Sequence, residues 1–122
     1  MKTSLVAILT LALFALAPAA LRAQTAPATI VHVITVEWKE SATPAQIQAA
    51  LDGVQALPGK YSGLVHVWTK AIKVQGAAKN AIVMEFADAA AFKAYTDSPA
   101  QKEWYKTYLP IRKKSTTFDI TN

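Results

Sequence analysis

An α+β fold is what this sequence predicts, with elements in the order β-α-β-β-α-β and its strands in one antiparallel four-stranded sheet. Three observations predict it. β-Branched, strand-like segments stand at the start and the end of the folded region, at Ile30–Trp38 and Ser115–Thr121. A second strand pair with a Gly-containing turn lies in the middle. Stretches with apolar residues at helical spacing separate these strands, and a switch of period from 2 to 3.6 and back marks alternating element types.

The folded region does not fill the chain of 122 residues. Leu5–Ala17 is an uncharged apolar run, preceded by Lys2 and followed by small residues and Pro18. Such a run is shorter than the roughly 20 residues that span a bilayer. A positive start, a short apolar middle and an Ala-rich end read as a secretory signal peptide. Residues 1–23 are expected to be that signal, with cleavage after Ala23; Ala17-Pro18-Ala19 offers an earlier site. Residues 24–29 (QTAPAT) carry no periodicity and are expected to be a flexible tail, leaving residues 30–122 as the single domain. The expected location is periplasmic or secreted, with no stable membrane anchor after cleavage.

Removal of Lys2 and Arg22 would leave 11 of the 13 basic side chains against 8 acidic ones, a net charge of +3 on 99 residues. That small, unclustered excess predicts no nucleic-acid partner. The chain has no cysteine. Disulfides, thiol nucleophiles, four-Cys zinc sites and a lipid-bearing N-terminal Cys are therefore excluded, and folding must rest on core burial.

In order, Ile30–Trp38 (IVHVITVEW) carries apolar residues on both faces, which predicts a strand covered on both sides. Thr43-Pro44 supplies an N-cap and a first-turn proline, and Ile47, Ala50, Leu51, Val54 and Leu57 form one helical stripe ended by Pro58-Gly59. Leu64–Val74 and Asn80–Ala87, separated by QGAAK, predict a hairpin. Asp88 can cap a helix over Ala89–Thr96; Ser98-Pro99 interrupts it, and a further piece runs from Ala100 to Tyr108. Pro110 closes that piece, and Ser115–Thr121 alternates as the last strand. This order is the split βαβ arrangement of ferredoxin-like domains, with both helical regions on one face of the sheet. His32, Ile34, Trp38, Leu64, His66 and Trp68 leave neither sheet face wholly polar. An apolar sheet face without a cover predicts a homodimer with the sheets face to face.

The residues resemble the stress-responsive dimeric α/β-barrel (Dabb) family over roughly Ile30 to Ile120. The resemblance is carried by Val31-His32-Val33 in the opening strand and by Val83-Met84-Glu85-Phe86-Ala87-Asp88 closing the third. Tyr95 ahead of Ser98-Pro99-Ala100 and the closing Phe118-Asp119-Ile120 complete it. The resemblance implies a ferredoxin-like subunit paired into a barrel, with a cavity between sheet and helices. One branch, the plant polyketide cyclases, uses a His and a Tyr of that cavity for aldol condensation. The cyclase segment His-Pro-x-His is here Ser98-Pro99-Ala100-Gln101, and Asn80 falls about where those enzymes carry another His. Gln101 cannot exchange a proton near neutral pH, so the general base of that route is missing.

The candidate site residues are therefore His32, Asn80, Tyr95, Gln101 and Trp104, the few polar groups and one aromatic wall of a small-ligand cavity. His32 and Tyr95 double as the weak catalytic candidates. His32 has a structural reading as a hydrogen-bonded strand residue and a functional one as a base. His66 is expected to be structural, and Tyr105 and Tyr108 to be packing. Arg112-Lys113-Lys114 reads as a solvated turn or edge, with a weak anionic contact as the alternative. The carboxylates show no pairing in sequence that suggests acid–base work. No metal site is expected from two His on different strands, and no cofactor from a chain without a Gly-rich phosphate loop. Two functions stand: an exported homodimer that binds a small apolar or aromatic molecule, or a cofactor-free enzyme of cyclase, lyase or monooxygenase type.

Overall fold

The computed structural model describes residues 28–121. The expected signal peptide and most of the expected tail lie outside the described residues. β1 runs over Ile30–Trp38, α1 over Pro44–Gln55, β2 over Leu64–Trp68, β3 over Asn80–Phe86, α2 over Ala89–Tyr95, α3 over Pro99–Tyr108 and β4 over Arg112–Thr121; a 3₁₀ turn, Leu57–Gly59, follows α1. The strands form one antiparallel sheet in the order β2-β3-β1-β4. The first and last strands are thus neighbours, and β1 is central. This is the ferredoxin-like α+β fold.

Each helix starts where the sequence supplies a cap. Thr43 Oγ1 accepts from the Gln46 backbone N–H at 3.2 Å while Gln46 Oε1 accepts from the Thr43 N–H at 2.9 Å, a reciprocal capping box ahead of Pro44. Asp88 caps α2 through Ala91 N–H at 2.7 Å, and Ser98 caps α3 through Gln101 N–H at 3.2 Å. Between α2 and α3 the chain turns through Asp97, whose φ of 63° is left-handed. That conformation costs a residue with a Cβ about 1–2 kcal/mol. Gln101 Oε1 accepts from the Asp97 N–H at 2.8 Å and holds the turn.

The core lies between the sheet and the helices. Ile34, Val36 and Trp38 of β1 meet Ile82, Met84 and Phe86 of β3, with Val54 and Leu57 from the α1 side and Trp104 and Tyr108 from α3. Of the α1 stripe, Ala50, Val54 and Leu57 are buried and Ile47 and Leu51 partly so. Helices α1 and α3 approach closely at Gly53, where a Cβ would stand 3.2 Å from Trp104 Cδ1. The small residue that weakens α1 in isolation makes room for the indole.

The opposite sheet face carries Val31, Val33, Val83, Trp68, Phe118 and Ile120. Val33 pairs with both Val83 and Phe118, and Val31 faces Ile120. Phe118 and Ile120 are each 55% exposed and Trp68 50%. In one protomer, therefore, β1 is covered on the helix side alone.

Two expected boundaries move. β2 was expected to reach Val74 but ends at Trp68. Trp68 pairs with Val83, and beyond it β3 continues against β1 only. Thr69, buried and receiving a 2.6 Å hydrogen bond from Gln55 Nε2, turns the chain out of the sheet. The link to β3 is thus residues 69–79, and Ile72 within it is fully exposed. β4 begins three residues early, at Arg112, so the basic run lies on an edge strand.

Candidate functional site

A cavity of about 260 Å³ opens between the sheet and helices α2 and α3. His32 and Ile34 of β1, Met84 of β3, and Ser115 and Thr117 of β4 form its floor. Strand alternation puts them there: Ile34 pairs with Thr117, and Val36 with Ser115, so all these side chains share the helix side of the sheet. Phe92, Tyr95 and Thr96 from the α2 side and Gln101, Trp104 and Tyr105 from α3 make the roof, with Tyr108 and Arg112 at the α3–β4 end.

Four of the five residues expected to form the site line this cavity: His32, Tyr95, Gln101 and Trp104. Asn80 does not. Its Oδ1 accepts from Trp38 Nε1 at 2.7 Å, at the far end of β1, so it satisfies a core indole. Trp104 presents only its ring, because Nε1 donates to the Ala50 carbonyl at 2.9 Å and the ring stacks on Tyr108 at 4.5 Å. Both Gln101 amide atoms are engaged, Oε1 with the Asp97 N–H and Nε2 with the Tyr105 hydroxyl at 3.2 Å.

His32 is paired, which corrects the reading of the carboxylates as unpaired. Nδ1 lies 2.5 Å from Asp119 Oδ1, across the β1–β4 register that sets the two residues opposite each other. An ionised carboxylate only accepts, so the pairing places a proton on Nδ1; in the neutral form of the ring Nε2 then carries the lone pair. The imidazole packs against Phe92 at 5.4 Å. On the other sheet face His66 Nδ1 lies 2.8 Å from Glu85 Oε2, beside the Trp68 ring. His66 is not in the cavity. Among the described residues no group of three or more His, Cys, Asp or Glu lies together to hold a metal ion.

The tyrosines carry the clearest chemical signal. Tyr95 and Tyr108 are 3% and 2% exposed, and neither hydroxyl has a hydrogen-bond partner in the protein. A buried hydroxyl left unpaired costs about 1–3 kcal/mol. Burial pushes the Tyr95 pKa far up, helped by neighbouring Tyr105, so its phenol stays protonated and acts as a donor. Tyr105 is raised by burial and by Tyr108, against an opposing pull from Arg112.

Asp119 and Arg112 are the site residues that the linear sequence hides. Asp119 becomes visible only when β1 and β4 are set side by side, 87 residues apart. Arg112 sits with its guanidinium 5.6 Å from the Tyr108 ring centroid and donates to Ser115 Oγ at 3.3 Å.

A four-stranded split-βαβ sheet with a walled cavity beneath its helices and an apolar opposite face defines a ferredoxin-like barrel subunit. The chain belongs to the Dabb family, the stress responsive A/B barrel domain, which matches residues 30–122. No curated protein matches it. Among solved structures it is similar to a hydroxynitrile lyase from Passiflora edulis, with TM-score 0.71 and 16% identity over 80% of this chain and 95% of that one. A Dabb family protein with a ferredoxin-like fold from Mesorhizobium loti gives TM-score 0.65 and 21% identity over 78% and 97%. A dimeric ferredoxin-like protein of unknown function from Thermobifida fusca gives 0.66 and 18% over 78% and 92%. At these identities the likeness shows the fold.

Proposed function

We propose that this chain is an exported homodimeric barrel protein whose protomers each bind a small apolar or aromatic molecule in the cavity beneath α2 and α3. The observation that carries the reading is the pair of buried, unpartnered hydroxyls of Tyr95 and Tyr108 in a cavity whose wall mixes polar groups with Ile34, Met84, Phe92 and the Trp104 ring. Both hydroxyls are closed to water-sized access, so a ligand with one or two polar atoms would satisfy them as the wall adjusts around it. The dimer reading is supported by the sheet face on which Trp68, Phe118 and Ile120 are exposed and Val31 and Val33 partly so, and three of the similar solved structures are described as dimeric. Export follows from the composition of residues 1–23. Native mass spectrometry of protein purified from its own periplasm tests all three together. A dimer of chains shortened by about 23 residues, each carrying a small added mass, is expected. A stable micromolar monomer that retains no ligand and is not shifted by aromatic probes would refute the reading.

A second reading, a cofactor-free acid–base enzyme, is favoured by one observation: the His32–Asp119 pair. A His oriented through Nδ1 by a carboxylate presents Nε2 as a proton acceptor when the ring is neutral, and protonated Tyr95 lines the same cavity. One structural neighbour is a lyase, an analogy of fold. His32→Ala separates the two readings. It abolishes turnover in an enzyme, and in a binder it changes affinity alone.

A further inference from the structure

We propose that the cavity's ligand is a small monocarboxylate with an aromatic or alkyl body, its carboxylate held by Arg112. The proposal deepens the ligand-binding reading and rests on it. Arg112 is the one Lys or Arg of the wall, and no Asp or Glu lines the cavity itself; Asp119 stands beside it, bonded to His32. Among the described residues the ion pairs are His32–Asp119, His66–Glu85, Lys106–Glu103 and Lys113–Glu37, so none engages Arg112. Its protein contacts are Ser115 Oγ and the Tyr108 ring, which leave most of the guanidinium's five N–H donors unspent.

A defect in the β ladder directs Arg112 inward. Val36 pairs with Ser115 and Glu37 with Lys114, but Trp38 pairs with Arg112, so Lys113 is an extra residue at a bulge. In an unbroken ladder Lys113 would share the inward side with Ser115, and Arg112 would face out with Lys114. The bulge reverses this, and bulges commonly re-aim a side chain beside a site. Of the Arg112-Lys113-Lys114 run, only Arg112 reaches the cavity, while Lys113 Nζ bonds Glu37 Oε1 at 2.6 Å.

The neighbouring groups suit one negative charge. The Tyr108 hydroxyl is unpartnered, and Ser115 accepts from Arg112 with its own proton free to donate. One guanidinium with neutral hydroxyls matches the planar, singly charged carboxylate; a phosphate dianion would call for a second cation. Ile34, Met84, Phe92 and the Trp104 ring supply the apolar surface for the body of the acid. The cavity's 260 Å³ lies near the lower end of ligand pockets, which keeps that body small.

The test is calorimetric titration of the dimer at pH 7 with benzoate, phenylacetate and trans-cinnamate, each beside its uncharged amide. At least one acid is expected to bind about tenfold or more tightly than its amide. Arg112→Gln should bring the pair to parity while leaving the amide within about twofold of its original affinity. If Arg112→Gln does not fold, Arg112→Lys, which keeps the charge but loses the two-pronged donor, should weaken the acid several-fold and spare the amide. Equal binding of acid and amide, both lost in the cavity-filling Ile34→Trp, would overturn the carboxylate and leave the ligand-binding reading standing. An acid preference that survives Arg112→Gln, or an equal loss of acid and amide in Arg112→Lys, would overturn it likewise. No binding of any of the six compounds at millimolar concentration would overturn both.

Discussion

Gly63 stands where the chain enters β2, and adding one methyl group there tests how tightly α2 is fixed over the cavity. A Cβ at this position would lie 2.8 Å from Ala91 Cβ and 2.8 Å from Tyr61 Cε1. Carbon atoms rest at about 3.5–4.0 Å, so each neighbour must retreat by roughly 1 Å. Neither moves cheaply. Tyr61 donates its hydroxyl proton to the Ala91 carbonyl at 2.6 Å and packs on Tyr95, while Ala91 N–H is held by Asp88. The Gly63 carbonyl also accepts from Ala87 N–H at 3.0 Å. Overpacking of this kind costs about 1–3 kcal/mol, offset by about 0.4–1 kcal/mol of lost freedom in the unfolded chain. The net is a loss of about 1–2 kcal/mol, or a melting temperature lower by about 5–15 °C for a domain of this size. Gly59→Ala is the internal control, since nothing lies within 4 Å of its Cβ, and it should melt at or above the native temperature. Differential scanning calorimetry of the two variants reads the difference. If Gly63→Ala melts within about 2 °C of the parent, the backbone there is loose and α2 is not pinned.

Three further outcomes are expected. Tyr95→Phe removes a buried hydroxyl that has no protein partner, so the ligand-free protein should keep its stability or gain up to about 1 kcal/mol, while affinity for a hydrogen-bonding ligand falls; a loss above about 1 kcal/mol in urea titration would mean the hydroxyl is bonded after all. Phe118→Asp puts a charge on the open sheet face, and light scattering should find monomer where the parent is dimeric; an unchanged dimer would place the interface elsewhere. The Lys113 hydrogen bond holds the Glu37 carboxyl below its ordinary value of 4.5, so this pair's contribution is present above about pH 4.5 and fades as the pH falls through the depressed value. Lys113→Ala should therefore lower stability slightly at pH 7, less so in high salt, and not at pH 3; equal losses at both pH values would refute the assignment.

Much of the fold is legible because its signals are local. Thr43-Pro44 and Gln46 mark the start of α1 within four residues, Asp88 and Ser98-Pro99 mark α2 and α3, and β1 declares itself by composition. What the sequence conceals depends on register. The strand pattern after Trp68 continues to Val74, but buried Thr69, held by Gln55, turns the chain away and leaves the outer edge of β3 at residues 80–82 unpaired. His32 and Asp119 look solitary until β1 and β4 adjoin, and Arg112 looks solvated until the bulge at Lys113 is counted. The family resemblance makes Gln101 stand where a base is missing, whereas its contacts show an amide that secures the left-handed Asp97 turn. Asn80 lies on the strand its sequence predicts, but its side chain accepts from Trp38 and does not line the cavity.

The two faces of the sheet also bear on how two binding events would influence each other. The cavity lies under α2 and α3, and the open apolar face lies on the other side of the same strands. In a face-to-face pair the two cavities would point away from each other, separated by both sheets, with no residue shared between them. Occupancy of one would then leave the other's intrinsic affinity unchanged, giving a Hill coefficient near one. Where pairing also leaves each cavity's affinity as it is in the monomer, reciprocity requires that ligand leave the monomer–dimer equilibrium where it was. A protein so arranged acts as two independent receptors on one scaffold, responding in proportion to ligand and without a threshold.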